Sequence, residues 1–395
     1  MTRPRPWLLV AALAVTGLSM RTAVTSVGAV LDDIQHDLHV SGGLAGLITT
    51  LPVICFAGLG SLTPRLGRRL GGHRLLAISL GVSTVGLALR PIGSSLPWFV
   101  VGSVLALFAG AVSNVLMPSL VKEHFPDRIG PMTALYTTAL AVGTTAAAGL
   151  TVPVADASGA GWRGGLGFWA VWTLLAVLPW LPTTRRDHSA PDDPAAVVSL
   201  RRLARSRTAW ALTVFFAMQS AQAYIAFGWF ARFLDDHGIS SGTAGAMVAV
   251  LSATTIPVSL VAPRVAPRHL RAVVAALGGC YVVAYVGLAV APVGGAWVWM
   301  ALVGVGSGMF PVALTLIGLR SRTAATTAAL SAFVQAIGYV VAGLGPVLFG
   351  ALFGATGSWA LPLTVLFVAL GLTLLAGWPS TADRFVDDEL AASSA

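Results

Sequence analysis

The stretch VTGLSMRTAVTSVG, residues 15–28, places one arginine, Arg21, in a run of apolar and small residues that contains no acid. A guanidinium offers five N–H donors in a fixed planar fork, suited to carboxylate-like or cyanate-like acceptors. Setting arginine at the centre of a lipid-spanning helix costs about 2.5–3.5 kcal/mol on insertion scales, so an interior, hydrated position is expected. Two uses fit that position: binding a solute, or reaching outward or to the carbonyls of a neighbouring helix. Thr25 and Gly28 follow at i+4 and i+7, which puts a hydroxyl and then a gap on the same helical face. They either extend one polar groove or let helices pack closely through small residues.

The elements that must carry these residues lie in lipid. Of 395 residues, 56% are hydrophobic and only 10% charged, too apolar for a soluble chain to bury in one core. Twelve apolar stretches are predicted, near 7–31, 42–63, 74–90, 96–120, 131–154, 164–182, 208–232, 243–262, 271–291, 296–318, 326–353 and 358–378. Most approach the ~20 residues a helix needs to cross a bilayer. The fold class expected is an all-α membrane protein with twelve transmembrane helices. The opening MTRPRPWLLVAALAV has the outline of a signal peptide, but its apolar run continues through Val30, so a retained first span is expected. With the N-terminus inside, every Lys and Arg except Arg21, Arg90, Arg163 and Arg232 falls in cytoplasmic segments, which places both termini in the cytoplasm of a cell-membrane protein. The formal charge of +9 is then an orientation signal that faces membrane lipid, and no nucleic-acid partner is expected. Cys55 and Cys280 fall in separate spans as small core residues.

The longest polar interruption, PTTRRDHSAPDDPAAVVSLRRLARSRT, divides the spans six and six. SGGLAG at 41–46 repeats as SSGTAG at 240–245, and the same offset sets TPRLGRR, 63–69, against APRVAPR, 262–268, so that Arg65 matches Arg264. ALYTTALAVG, 134–143, is echoed by ALSAFVQAIG, 329–338. Six duplicated spans with a basic turn after the second of each half is a transporter layout, in which two bundles rock around a site near the midplane. The domains expected are an N-terminal six-helix bundle at 1–182, a cytoplasmic linker at 183–207, a C-terminal six-helix bundle at 208–378 and a cytoplasmic tail at 379–395.

GSLTPRLGRR, 60–69, resembles the loop between the second and third helices of the major facilitator superfamily, with Gly60, Arg65, Gly67, Arg68 and Arg69 at the matching positions. Pro64 stands where that pattern has an acid. MRTAVTSVGAVL, TTLPVICFA, SNVLMPSLVKEHFPDR, GMFPVALTLIGLR and LSAFVQAIGY further resemble the cyanate and 2-nitroimidazole permease branch, over nearly the whole chain. The resemblance implies the major facilitator fold and a small, polar, often anionic or nitro-bearing solute. It also implies that the first, fourth, seventh and tenth spans line the cavity. Asn114 in the fourth, Gln219 and Gln222 in the seventh, Phe310 in the tenth, and Gln335 and Tyr339 in the eleventh become substrate-binding candidates beside Arg21 and Thr25. The amides serve equally well as glue between helices. Trp229 is a further cavity candidate, while Arg90, beside Pro91, either marks the outer interface or offers a second anion contact. Arg65, Arg68, Arg69 and Arg264 are expected to gate, by stabilising one closed conformation.

No His, Asp or Glu sits mid-span, which removes the usual proton carriers, although Asp32 and Asp33 at the outer end of the first span remain candidates. The coupling partner is therefore an ion or an exchanged anion. No Walker stretch supports direct ATP drive, and no nucleophile with its base, HExxH motif or set of metal ligands lies in the spans. An enzyme, a metal and a cofactor are not expected. The function expected is secondary active transport of a small polar, anionic solute by alternating access; the alternative is a multidrug or nitroimidazole-type efflux transporter.

Overall fold

The computed structural model describes residues 6–39, 42–184 and 200–392, and the described residues are overwhelmingly helical. In chain order the helices are α1 Pro6–Ser19, α2 Thr22–Ala29, α3 Leu31–Asp37, α4 Gly42–Leu70, α5 Gly72–Leu89, α6 Leu96–His124, α7 Ile129–Ser158, α8 Trp162–Val177 and α9 Leu181–Thr184. They continue with α10 Leu200–Leu203, α11 Arg207–Asp236, α12 Ser241–Val290, α13 Ala296–Gly306, α14 Met309–Leu319, α15 Ala324–Thr356, α16 Ala360–Ser380 and α17 Val386–Ala392. Among the described residues, nine helical runs are long and apolar enough to cross a bilayer. One of them, Gly242–Val290, turns at His269 (φ −136°, ψ 43°), where the sequence predicts two spans. Two other expected spans correspond to α4, of 29 residues, and α8, of 16. Residues 185–199 of the expected linker lie outside the described residues.

The helices end where backbone chemistry requires it. Ser206 and Thr323 cap α11 and α15 by accepting from the amides of Ala209 and Thr326 at 3.0 and 3.1 Å. Gly71, with φ +85°, makes the whole turn between α4 and α5, a conformation that favours glycine. For that reason GSLTPRLGRR is not a loop: α4 runs through it to Leu70, and its matching stretch APRVAPR is likewise helical up to the bend at His269.

Two expected continuous spans are broken. The first stops at Ser19 and restarts at Thr22, with Met20 closing a tight turn onto the Gly17 carbonyl at 3.2 Å. The Thr22 hydroxyl takes the Ser19 carbonyl at 3.1 Å, replacing a rung of the helical ladder. The tenth expected span divides at Ser307–Gly308, because Pro311 has no N–H for the Ser307 carbonyl, which accepts from Phe310 instead at 3.1 Å.

The chain forms two compact units, one of residues 1–120 and 135–197, the other of 121–134 and 198–395. In the first, a Cβ added to Gly17 would lie 2.5 Å from the Tyr136 carbonyl, and one added to Gly143 would meet the Leu18 carbonyl, so α1 and α7 touch backbone to backbone. The sequence echo pairs Gly143 with Gly338, and Gly338 in the second unit packs against Phe216 and the backbone of Ala217 on α11. The echoed glycine thus admits α1 in the first unit and α11 in the second. Within the expected tail, α17 packs onto the second unit. Val386 and Leu390 are buried, Asp387 accepts from the Thr326 hydroxyl and the Arg322 amide at 2.7 Å each, and Glu389 accepts from the hydroxyls of Ser206 and Thr208 at 2.6 Å. Helix α17 thereby caps the starts of α11 and α15.

Candidate functional site

Arg21 occupies the break in the first span and is the residue before α2, with its Nε buried. Its carbonyl accepts from Val24 and Thr25 at 3.1 and 3.0 Å, starting the new helix. At 3.6 residues per turn, Arg21, Thr25 and Gly28 share one face of α2. That face is the open one: Arg21 and Thr25 are half-buried, Gly28 is exposed, and a Cβ added to Gly28 would have no neighbour within 4 Å. The opposite face, Thr22, Ala23, Ser26 and Val27, is buried.

The break is held by close backbone approach. A Cβ on Gly110 of α6 would stand 2.6 Å from the Met20 carbonyl and 3.1 Å from the Phe56 ring. Asn114 is one helical turn from Gly110 on the same helix and is buried, as is the adjacent Ser113, whose hydroxyl has no hydrogen-bond partner among the described residues. Tyr136, whose carbonyl meets Gly17, is fully buried. The first unit therefore brings the Tyr136 backbone to α1 and Gly110, one turn from Asn114, to the break that holds Arg21.

Arg90, at the end of α5, is not exposed. It is fully buried, donates from Nη1 to the Ala23 carbonyl at 3.0 Å and from Nη2 to Ser26 Oγ at 3.4 Å, and lies 5.8 Å from the centre of the Phe99 ring. The apolar sequence around it gave no sign of this, since its partners lie 67 and 64 residues away.

In the second unit, Gln222 Nε2 donates to Thr373 Oγ1 at 2.9 Å and the Met218 carbonyl at 3.1 Å, while its Oε1 accepts from Tyr285 at 3.0 Å. All of its polar atoms are thus directed into the packing of α11, α12 and α16. Gln219 Nε2 donates to the Phe216 carbonyl and Ser220, but its Oε1 is buried without a hydrogen bond among the described residues. Gln335 Nε2 donates to Ser331 at 2.7 Å, one turn away. Phe310 and Tyr339 are brought together by Phe216, which sequence reasoning missed: their ring centres lie 6.0 and 5.1 Å from its own. Trp229 donates to the Pro346 carbonyl at 3.1 Å and packs with Phe349, Phe353 and Trp359.

Arg65 and Arg69 are exposed on the last turns of α4 and Arg68 is half-buried. Arg264 is exposed and donates to the Leu260 carbonyl of its own helix at 2.9 Å. Outside the spans, the hydrogen bond from Arg163 holds the Asp37 carboxyl below its usual range against some desolvation, and Trp162 Nε1 donates to the same oxygen at 3.1 Å. Burial pushes the Glu389 carboxyl up, but the donors from Ser206 and Thr208 outweigh it and hold the group below its ordinary range. Among the described residues no three His, Cys, Asp or Glu side chains stand close enough to hold a metal ion.

A likeness to known proteins extends along the chain. It is 36% identical over 387 residues to the uncharacterized transporter YycB of Bacillus subtilis, covering 96% of this chain and 94% of the relative. It is 32% identical to the 2-nitroimidazole transporter of Escherichia coli, covering 90% and 91%, and 27% identical to the cyanate transport protein CynX of the same organism, covering 88% and 90%. A solved structure of the proton:xylose symporter XylE superposes with a TM-score of 0.78 at 13% identity, covering 98% of each chain, a likeness of fold alone. Residues 9–346 match the Major Facilitator Superfamily. With its long apolar helices and these relatives, among them the 2-nitroimidazole and cyanate transporters, the chain belongs to the major facilitator superfamily and is a membrane transporter, not an enzyme.

Proposed function

We propose that this transporter moves a small, polar, anionic solute, cyanate-like or nitro-bearing, across the cytoplasmic membrane by alternating access, with both termini in the cytoplasm. The observation that carries the reading is Arg21 at a helix break, on the one open face of α2. A permanent cation there, followed by the Thr25 hydroxyl and the side-chain-free Gly28, makes a short polar strip that fits a small monoanion. Asn114, one turn from Gly110 on α6, stands near the same break; within the second unit, Gln219, Gln335, Phe310 and Tyr339 are the solute-contact candidates. In this reading Gln222 shapes the site by holding α11, α12 and α16 in register. Arg65, Arg68, Arg69 and Arg264 gate the cycle.

Drawing an anion into a negative-inside cell costs about 2.3 kcal/mol per charge per 100 mV. With every carboxylate at a span end or outside the spans, exchange against an internal anion or net efflux explains the energetics at least as well as proton symport. Efflux of nitro-aromatic compounds is the second reading, supported by the 32% identity to the 2-nitroimidazole transporter and by the Phe216, Phe310 and Tyr339 cluster.

Calorimetry on purified variants with cyanate and nitrite tests the role of Arg21. Arg21→Lys keeps the charge but loses the fork, and is expected to weaken binding by about 1–3 kcal/mol. Arg21→Gln is expected to do worse for a monoanion and to spare a solute that carries no charge. Unchanged affinity for cyanate and nitrite in both variants would remove the anion reading.

A further inference from the structure

We propose that Arg90 is a positioning residue for Arg21: it sets the rotation of α2, so that the transporter's affinity for an anion depends on a second arginine that never touches it. The inference rests on the anion reading above.

Helix α2 is only eight residues long and is separated from α1 at Met20–Arg21 and from α3 at Val30 (φ −128°, ψ 25°). Backbone continuity therefore does not fix how it turns about its axis. Val27 packs its buried face into an apolar cluster with Phe99, Trp162 and Leu166, and the polar grip on that face is Arg90, whose fork takes the Ala23 carbonyl at 3.0 Å and Ser26 Oγ at 3.4 Å. Ala23 and Ser26 lie roughly opposite Arg21, Thr25 and Gly28 at about 100° per residue. Holding the first pair against α5 therefore presents the second set outward.

Arg90 is itself held rigidly. Its backbone amide donates to Gly86 at 2.9 Å, its guanidinium lies over Phe99, and a Cβ on Gly102 of α6 would come within 2.8 Å of its Cα. Among the described residues no carboxylate contacts it, and none offers its buried Nε a hydrogen-bond partner. A desolvated cation kept for two contacts to one short helix is a costly way to pack, because a buried apolar residue would serve packing alone. The fork supplies what a methylene cannot, namely two donors at a fixed angle that tie a carbonyl and a hydroxyl one turn apart.

The test compares Arg90→Lys, Arg21→Gln and the double variant in detergent, with cyanate as the charged probe and an N-methylated 2-nitroimidazole, which has no ring N–H to lose, as the uncharged one. Arg90→Lys is expected to lower cyanate affinity about tenfold, leave the maximal exchange rate in proteoliposomes and the uncharged probe's affinity near wild type, and raise hydrogen exchange across residues 22–27. In the Arg21→Gln background the same change is expected to add nothing for cyanate. Equal losses for both probes, additive losses in the double variant, or an unchanged cyanate affinity would each overturn the proposal. Should Arg90→Lys fail to fold, Ser26→Ala removes one acceptor, and no change in either cyanate affinity or exchange at 22–27 overturns it equally. If Arg21→Gln itself leaves cyanate binding intact, the anion reading falls and this inference with it. A flat Arg90→Lys beside a weakened Arg21→Gln defeats only the inference.

Discussion

Gly28→Ala separates stability from passage on the Arg21 face. Glycine inside a helix costs about 0.5–1 kcal/mol relative to alanine. Nothing lies within 4 Å of the new methyl, so no clash offsets the gain. Because Gly28 is the penultimate residue of α2, the stabilisation is expected at the low end, about 0.5 kcal/mol. Along the helix the methyl stands about 10 Å from Arg21 and about 4–5 Å from Thr25, from the rise of ~1.5 Å per residue. A two- or three-atom anion seated on Arg21 cannot reach it, whereas a nitro-substituted ring extending along the strip can. Cyanate affinity is therefore expected to stay near wild type, while binding of a nitroimidazole weakens by about 1 kcal/mol, roughly fivefold, the usual effect of one extra methyl in a pocket. Thermal unfolding in detergent and calorimetry with both solutes read the two effects. Gly110→Ala is the contrasting control: its Cβ would stand 2.6 Å from the Met20 carbonyl, so it is expected to destabilise by about 1–3 kcal/mol and to weaken cyanate by displacing the break. A Gly28→Ala protein that is less stable, or that loses cyanate as much as the larger solute, refutes the open-face reasoning.

Glu389→Gln removes a charge that accepts three hydrogen bonds at the start of α11, and is expected to loosen α17 by about 1–3 kcal/mol, seen as faster hydrogen exchange at 386–392. Asp37 has its folded pKa lowered, so the stability it adds is present above the ordinary carboxylate pKa and lost as pH falls through the lower folded value. Acidification below about pH 4 is expected to release α3 from Trp162 and Arg163, read by tryptophan fluorescence, and Asp37→Asn is expected to abolish that transition. Arg65→Ala and Arg264→Ala are expected to slow exchange in proteoliposomes more than they weaken solute affinity; a collapse of affinity at unchanged rate per bound solute places these arginines in the binding site instead.

Composition, the placement of basic residues and the internal echoes were enough to read the class, because lipid leaves a chain few options: long apolar helices, with charge confined to their ends. The family was legible for the same reason, in motifs spread along the whole chain. Arg21 stood out because a lone guanidinium in an apolar run is costly wherever it points. Its surroundings did not. That the first span breaks beside it depends on Gly110, Gly143 and Tyr136 meeting α1 from helices some hundred residues away, contacts that no local pattern encodes. Gln219 and Gln222 look alike at i, i+3, yet one keeps an unbonded oxygen and the other is consumed by Thr373, Met218 and Tyr285. The basic turns became helix because Gly71 and the bend at His269 carry the reversals, so the prolines before them remain within helix. The acidic end of the chain is expected from sequence only as a cytoplasmic tail at 379–395, with no element assigned to it. It docks because its acids meet the unpaired amides and hydroxyls at the starts of α11 and α15, a complementarity that exists only once those two helices lie side by side.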